Sequence, residues 1–200
     1  MFLCLTRDFF ARPTITVARE ILGTRLVRID HGKRLSGIIT ESEAYIGETD
    51  LGCHACAGRT PRTAIMFGPP GHAYVYFTYG MHWMLNFVTE AEDFPAAVLI
   101  RAIQPVEGSE IIAARREGRP RPTWTDGPGK LCQALGIDGS LNGVDLCAPN
   151  SSLFVEAGEP IPEESVTIGP RVGLNSVPEP WKSMPWRFRM EERLTTENTE

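Results

Sequence analysis

The order in which periodicities change along this chain restricts its fold more than any single motif does. Between Arg25 and Ile103 the apolar runs are β-like, and beyond Pro105 they become helical. Arg25 to Asp30 and Arg34 to Tyr45 are rich in branched residues, and the turn-like His31, Gly32 and Lys33 between them predict a hairpin. Ala73 to Tyr79, His82 to Thr89 and Ala96 to Ile103 are further β-like runs, each bounded by Gly or Pro. Ahead of them, Thr14 to Leu22 sets Ile15, Ala18, Ile21 and Leu22 at helical spacing between Pro13 and Gly23. After Pro105 one helix is predicted over Glu107 to Glu117, closed by Gly118. Another is predicted over Asp126 to Leu135, with Asp126 as its cap and Gly136 as its stop. Ala148 to Glu164 reads as irregular, and Ser165 to Leu174 as a last short strand. Strands segregated from helices predict an α+β fold, a curved antiparallel sheet flanked by α-helices, and not the alternation of a doubly wound fold.

With 42% apolar and 22% charged residues, the 200-residue chain has material for a core and lacks the profile of disorder. A single domain is expected over residues 1–190. A flexible tail is expected over residues 191–200, where four acidic residues meet only Arg193. The net charge of −5 excludes a uniformly basic surface but not a local one. Arg101 to Lys130 holds six basic and four acidic residues, and includes the rigid run Arg119-Pro-Arg-Pro122. No apolar run approaches the ~18 residues of a membrane span. The opening Met1 to Leu5 is soon interrupted by Arg7 and Asp8, so an intracellular protein with reduced thiols at its five cysteines is expected.

In Thr40-Glu-Ser-Glu-Ala-Tyr45, strand alternation puts Glu41, Glu43 and Tyr45 on one face. Neighbouring carboxylates raise one another's pKa, which suits one of them to general acid or base work; the plain alternative is a solvated strand end. All four tyrosines, Tyr45, Tyr74, Tyr76 and Tyr79, fall within 35 residues, with Tyr74 and Tyr76 on one face and Tyr79 at a Gly-marked strand end. Such rings can stack bases in a groove, at ~1 to 3 kcal/mol each. They can equally form a core layer with hydroxyls at its rim. Cys53-His-Ala-Cys56 has Cys-x-x-Cys spacing, but no second pair stands at knuckle spacing, which leaves His54 as the candidate there. Gly127-Pro-Gly-Lys130 opens a predicted helix and suits either a phosphate or an ordinary helix start. The spacing Gly-x-x-x-x-Gly-Lys is absent, so nucleoside triphosphate hydrolysis has no support.

Taken together, several blocks resemble the alkyladenine (3-methyladenine) DNA glycosylase family. They are Thr40-Glu-Ser-Glu-Ala-Tyr-Ile-Gly47, His54, Arg59-Thr-Pro-Arg62, Met66-Phe67, Tyr74-Val-Tyr-Phe-Thr-Tyr-Gly-Met81, Asn86, Leu99-Ile-Arg-Ala102 and Gly129-Lys-Leu-Cys-Gln-Ala-Leu135. The resemblance runs in order from about Arg12 to about Arg189. It implies a base-excision-repair enzyme that flips alkylated or deaminated purines out of duplex DNA and hydrolyses the N-glycosidic bond. The product would be an abasic site, with no lyase step, and the lesions include 3-methyladenine, 7-methylguanine, hypoxanthine and ethenoadenine.

The same resemblance implies roles for single residues. Glu43 would activate the water and stabilise an oxocarbenium-like transition state. Arg101 would hold Glu43 and the water, and a guanidinium beside a carboxylate keeps it ionised near neutral pH. Tyr45, His54 and Tyr76 would bind the flipped base, Asn86 would exclude the 2-amino group of guanine, and Tyr79 would wedge into the gap. Thr60, Arg62 and Lys130 would contact phosphates. No metal and no organic cofactor are implied; the partner is damaged double-stranded DNA, with no membrane and no obligate protein partner, a monomer sufficing. A damaged-DNA-binding module that does not cut is the alternative. A sugar hydrolase using Glu41 and Glu43 is less suited, because adjacent residues of one strand face do not flank a glycosidic bond. Cys53 and Cys56 depart from the family pattern, and a reactive thiol beside His54 would make activity sensitive to thiol modification.

Overall fold

In the computed structural model, which describes residues 3–191, the predicted hairpin forms as β1 (Arg25–Asp30) and β2 (Lys33–Ile46). β3 (Ala73–Thr78), β4 (His82–Val88), β5 (Ala96–Glu107), β6 (Leu153–Glu156), β7 (Val166–Gly169) and β8 (Arg187–Met190) complete one eight-stranded sheet. Every pairing in it is antiparallel. The order is β3-β4-β5-β2-β1-β6, with β8 beside Glu41 to Glu43 of β2 and β7 beside β8. The sheet and its helices make the expected α+β architecture.

Side-chain alternation divides the sheet into two unlike faces. Leu35, Ile39, Ala44, Leu85, Phe87, Val98 and Ile100 point to the main core, where α2 (Thr14–Glu20) and α4 (Pro128–Leu135) cover them. Ser42 on that face donates to the Ala18 carbonyl and ties β2 to α2. On the opposite face Tyr74, Val88 and Ala97 join Cys53, Ala55 and Met66 in a smaller cluster, flanked by Tyr45 and Tyr76. The candidate site lies on this second face.

Several boundaries differ from the sequence expectation for physical reasons. β5 runs past Ile103 to Glu107, because Pro105 falls at a register shift opposite Gly37, where the strand tolerates a missing donor. The helix predicted over Glu107 to Glu117 is therefore shortened to α3 (Ser109–Arg115), with Gly108 at φ 79° turning the chain into it. Asp126 does not cap α4; Gly127 takes that position, and the Asp126 carboxylate instead binds Lys130. The stretch Ala148 to Glu164 is not wholly irregular, since β6 forms there against β1. The strand expected over Ser165 to Leu174 narrows to β7, ended by Pro170. α1 (Arg7–Phe10), β6 and β8 are each four residues long, too short for a periodic signal. Of the expected tail, residues 192–200 lie outside the described residues. No helix among the described residues is long and apolar enough to cross a membrane.

Candidate active site

Two β-bulges build the site. In the β2–β5 ladder Ile39 pairs with Ile103 and Glu41 with Ala102, so Thr40 is an extra residue in β2. Ser42 then pairs with Ile100, which leaves Arg101 extra in β5. A single inserted residue reverses the faces of everything beyond it. Ile39 points to the main core, and an unbroken strand would have sent Glu41, Glu43 and Tyr45 there too. The bulge at Thr40 turns these three to the second face and gives the core Ser42 and Ala44 instead. Arg101, at the companion bulge, reaches both carboxylates: its Nε donates to Glu41 at 2.9 Å and its Nη1 to Glu43 at 3.3 Å.

Glu43 is fully buried, behind the cavity wall that Tyr45 and Arg101 help to line. Its Oε2 accepts from the Tyr45 hydroxyl at 2.9 Å as well as from Arg101, and its Oε1 accepts from the Val172 N–H at 2.7 Å. Burial raises the Glu43 pKa above the ordinary carboxylate value, and Arg101, the Val172 N–H and Tyr45 offset only part of that rise. Desolvation is thus the largest influence on this carboxylate, with the guanidinium expected to keep it ionised acting against it. Glu41 and Glu43 share one guanidinium on one side of the cavity, which does not suit two carboxylates acting across a sugar. Arg187 of β8 also approaches Glu41, at 3.4 Å.

The cavity, about 300 Å³, is walled by alternate residues of three strands, Tyr74 and Tyr76, Met84 and Asn86, Leu99 and Arg101, together with Tyr45, His54 and Met66. That is the lower end of the size range of ligand pockets and suits one small planar group. His54 lies edge-on to Tyr76 with ring centroids 4.6 Å apart, and its Nδ1 is 3.0 Å from the Tyr74 hydroxyl. Burial, with Arg62 adding to it, moves the imidazole pKa from 6.5 down to about 4, so His54 is neutral near pH 7. Asn86 is buried in the wall and donates to the Tyr74 carbonyl at 3.0 Å. Glu43, Arg101, Tyr45, His54, Tyr76 and Asn86 are thus brought together around one space.

The expected DNA contacts divide. Tyr79 stands at the tip of the β3–β4 hairpin with φ 52°, 78% exposed, and borders the cavity. With Gly80 also at positive φ and the Met81 N–H bonded to the Thr78 carbonyl, the tip has the form of a type I′ turn. Arg62 is exposed, its guanidinium 5.0 Å from the centre of the Tyr76 ring. Thr60 forms a local turn, its N–H donating to the Thr63 hydroxyl at 2.8 Å. Lys130 is half-exposed and already paired with Asp126 at 2.7 Å. The reactive thiol expected beside His54 is not Cys53, which is buried with its pKa pushed up to about 12; Cys56 is exposed. Among the described residues no group of three or more His, Cys, Asp or Glu side chains is placed to hold a metal ion.

Sequence reasoning missed Asp50, Arg171 and Val172. Arg171 is fully buried, donates to both oxygens of Asp50 at 2.5 and 2.8 Å, and precedes the residue whose N–H holds Glu43. These residues sit in irregular loops without periodicity, and no pattern in the sequence marks them.

Comparison with known proteins matches residues 8–194 to the family described as methylpurine-DNA glycosylase. A protein of Myxococcus xanthus, provisionally named a 3-methyladenine DNA glycosylase, is 49% identical over 92% of this chain and 88% of its own. Similarly named proteins of Methanocella arvoryzae and Carboxydothermus hydrogenoformans are 49% and 46% identical, over 92% and 93% of this chain and 90% and 94% of their own. With a family match across nearly the whole sequence and relatives this similar over most of their own length, the chain belongs to the methylpurine-DNA glycosylase family.

Proposed function

We propose that this protein excises methylated purines, 3-methyladenine among them, from double-stranded DNA by flipping the nucleotide into the cavity and hydrolysing its N-glycosidic bond with a Glu43-activated water. The observation that carries this reading is the position of Glu43, a buried carboxylate held by Arg101, Tyr45 and the Val172 N–H directly behind a cavity of aromatic side chains. Tyr79 fills the gap left in the duplex. The base stacks on Tyr45 and Tyr76, and neutral His54 supplies a hydrogen bond without repelling a cationic lesion. Asn86 narrows the wall against the 2-amino group of guanine.

Water reaches Glu43 by displacing one of its cavity-side contacts, and the 3.3 Å bond from Arg101 is the looser of the two on Oε2. As the water attacks C1′, Glu43 takes its proton, the C1′–N bond breaks and its electron pair leaves with the base. A cationic methylpurine departs neutral, so it needs little protonation, whereas hypoxanthine and ethenoadenine need more help at the leaving group. The raised pKa strengthens Glu43 as a base, and activity falls as pH drops through that pKa because only the carboxylate accepts the proton. One protein on one duplex suffices.

The test is incubation with methylated DNA, and with duplexes bearing one hypoxanthine or one ethenoadenine, followed by hot alkali. Breaks confined to lesion positions are expected. Lesion binding with no breaks on any substrate would favour damage recognition without excision.

A further inference from the structure

Behind the cavity lies a buried ion pair with no place in the steps above. Arg171 and Asp50 both have fully buried side chains and bind through two parallel hydrogen bonds. Two charges removed from water are costly to keep, so the pair must be matched by geometry. The geometry here joins four pieces of chain. Arg171 Nη1 also donates to the Ala44 carbonyl of β2 at 3.1 Å, and Nη2 to the Trp181 carbonyl at 3.2 Å. Asp50 accepts from the Ile46 and Gly52 N–H groups, closing the turn that leads to His54. The guanidinium lies between two rings, 4.7 Å from the centre of Tyr45 and 4.9 Å from that of Trp186.

We propose that Arg171, clamped by Asp50, is a positioning residue for base excision: it fixes the exposed turn that begins at Val172, keeping the Val172 N–H on Glu43 Oε1, and backs the ring of Tyr45. The proposal rests on the reading of Glu43 as the general base. Val172, Gly173 and Leu174 form part of the cavity wall, yet Val172 is 47% exposed and its turn has little packing of its own. Its buried anchor is the preceding residue. Arg171 is absent from the cavity wall that Tyr45 lines, so it covers the ring face turned away from a bound base. One side chain thereby holds a hydrogen-bond donor to the base catalyst and a stacking surface for the substrate in a single register.

Gly52 offers a mild way to disturb the clamp. A Cβ there would stand 2.7 Å from Arg171 Nη2 and 2.8 Å from Leu174 Cδ1, so the guanidinium and the Leu174 side chain must shift, and the turn is disturbed through Arg171. The charged and titratable groups around Glu43 are Arg101 of β5, Glu41 and Tyr45 of β2, Tyr76 of β3, and Arg187 of β8 acting through Glu41. None is replaced by this substitution, and of them only Tyr45 touches the guanidinium that it shifts. Loss of the Val172 N–H removes one of the groups that hold the Glu43 pKa down.

The experiment compares wild type, Gly52→Ala and the neutralised pair Asp50→Asn/Arg171→Gln. It measures single-turnover excision across pH, affinity for a duplex carrying a stable abasic-site analogue, and thermal midpoint. For Gly52→Ala the acid limb of the excision profile is expected to move up by about one pH unit, the worth of one hydrogen bond to a carboxylate. The plateau rate should fall about tenfold, a barrier change of similar size, with abasic-site affinity held within about threefold. The double variant is expected to show the same displacement. A lowered midpoint with an unmoved acid limb, or an unchanged rate in Gly52→Ala, would overturn the proposal and leave the pair a structural brace. Absence of excision by wild type would instead sink the glycosylase reading on which the proposal rests.

Discussion

Tyr79 carries an exposed aromatic ring on a backbone that L-residues avoid, with φ 52°. Left-handed backbone costs a non-glycine residue ~1 kcal/mol, and strain of this kind collects where a side chain is needed for something other than stability. Replacement by glycine separates the two effects. Tyr79→Gly should leave the thermal midpoint unchanged or slightly higher while lowering lesion excision at least tenfold. A fall in both would mean that the ring packs for stability. His54 gives a second residue-scale expectation. Its folded pKa, about 4, lies below its ordinary 6.5, so between those values the unfolded chain binds a proton that the native site refuses. Stability from this site is present above pH 6.5 and is lost progressively as pH falls toward 4. Denaturant titrations of His54→Gln should show a shallower loss over that window than wild type. The residues of the cavity were legible one by one because each stands in a short block of distinctive composition. Asp50, Arg171 and Val172 were not, since their roles arise from turns that meet only in the folded chain.

The elements were legible where the alternation was long. β1 to β5 follow from runs of branched and aromatic residues, and the pairings β1-β2, β3-β4 and β4-β5 follow from the connections between them, whereas the pairing of β2 with β5, which joins strands far apart in sequence, does not. The bulges at Thr40 and Arg101 leave no mark in composition, and they decide which face Glu43 occupies. Counting by twos from Ile39 places Glu43 in the main core; counting by twos from Ala44 places it correctly opposite. Deletion of Thr40 is therefore expected to force a choice between burying two carboxylates in the main core and exposing Leu35 and Ile39. Either cost is several kcal/mol, against a total stability of ~5 to 15 kcal/mol. Circular dichroism melting of the deletion variant should show no cooperative transition above room temperature. A melt within a few degrees of wild type would show that the strand absorbs the lost residue without reversing its faces.

At the scale of the molecule, an acidic protein with a net charge of −5 has to hold a polyanion by local basic contacts. Of the two basic side chains expected at phosphates, Lys130 is paired with Asp126, while Arg62 is exposed with its guanidinium over the Tyr76 ring. Each phosphate neutralised contributes a slope of about −0.9 to the logarithmic dependence of affinity on salt. Arg62→Gln should reduce the magnitude of that slope by about one, with little change in lesion preference. An unchanged slope would exclude Arg62 as a phosphate contact. The sheet's two faces divide the labour on this scale. The helix-covered face supplies the stability, and the opposite face holds the polar groups whose burial that stability must support. The proposed reaction turns on Glu43, and the direct measurement is single-turnover excision by Glu43→Gln beside its affinity for the same lesion duplex. The expected rate is lower by at least about three orders of magnitude, with binding within a few-fold of wild type. Excision at a rate near wild type would contradict the proposed reaction, because the side chain at the centre of the site would then not be the base.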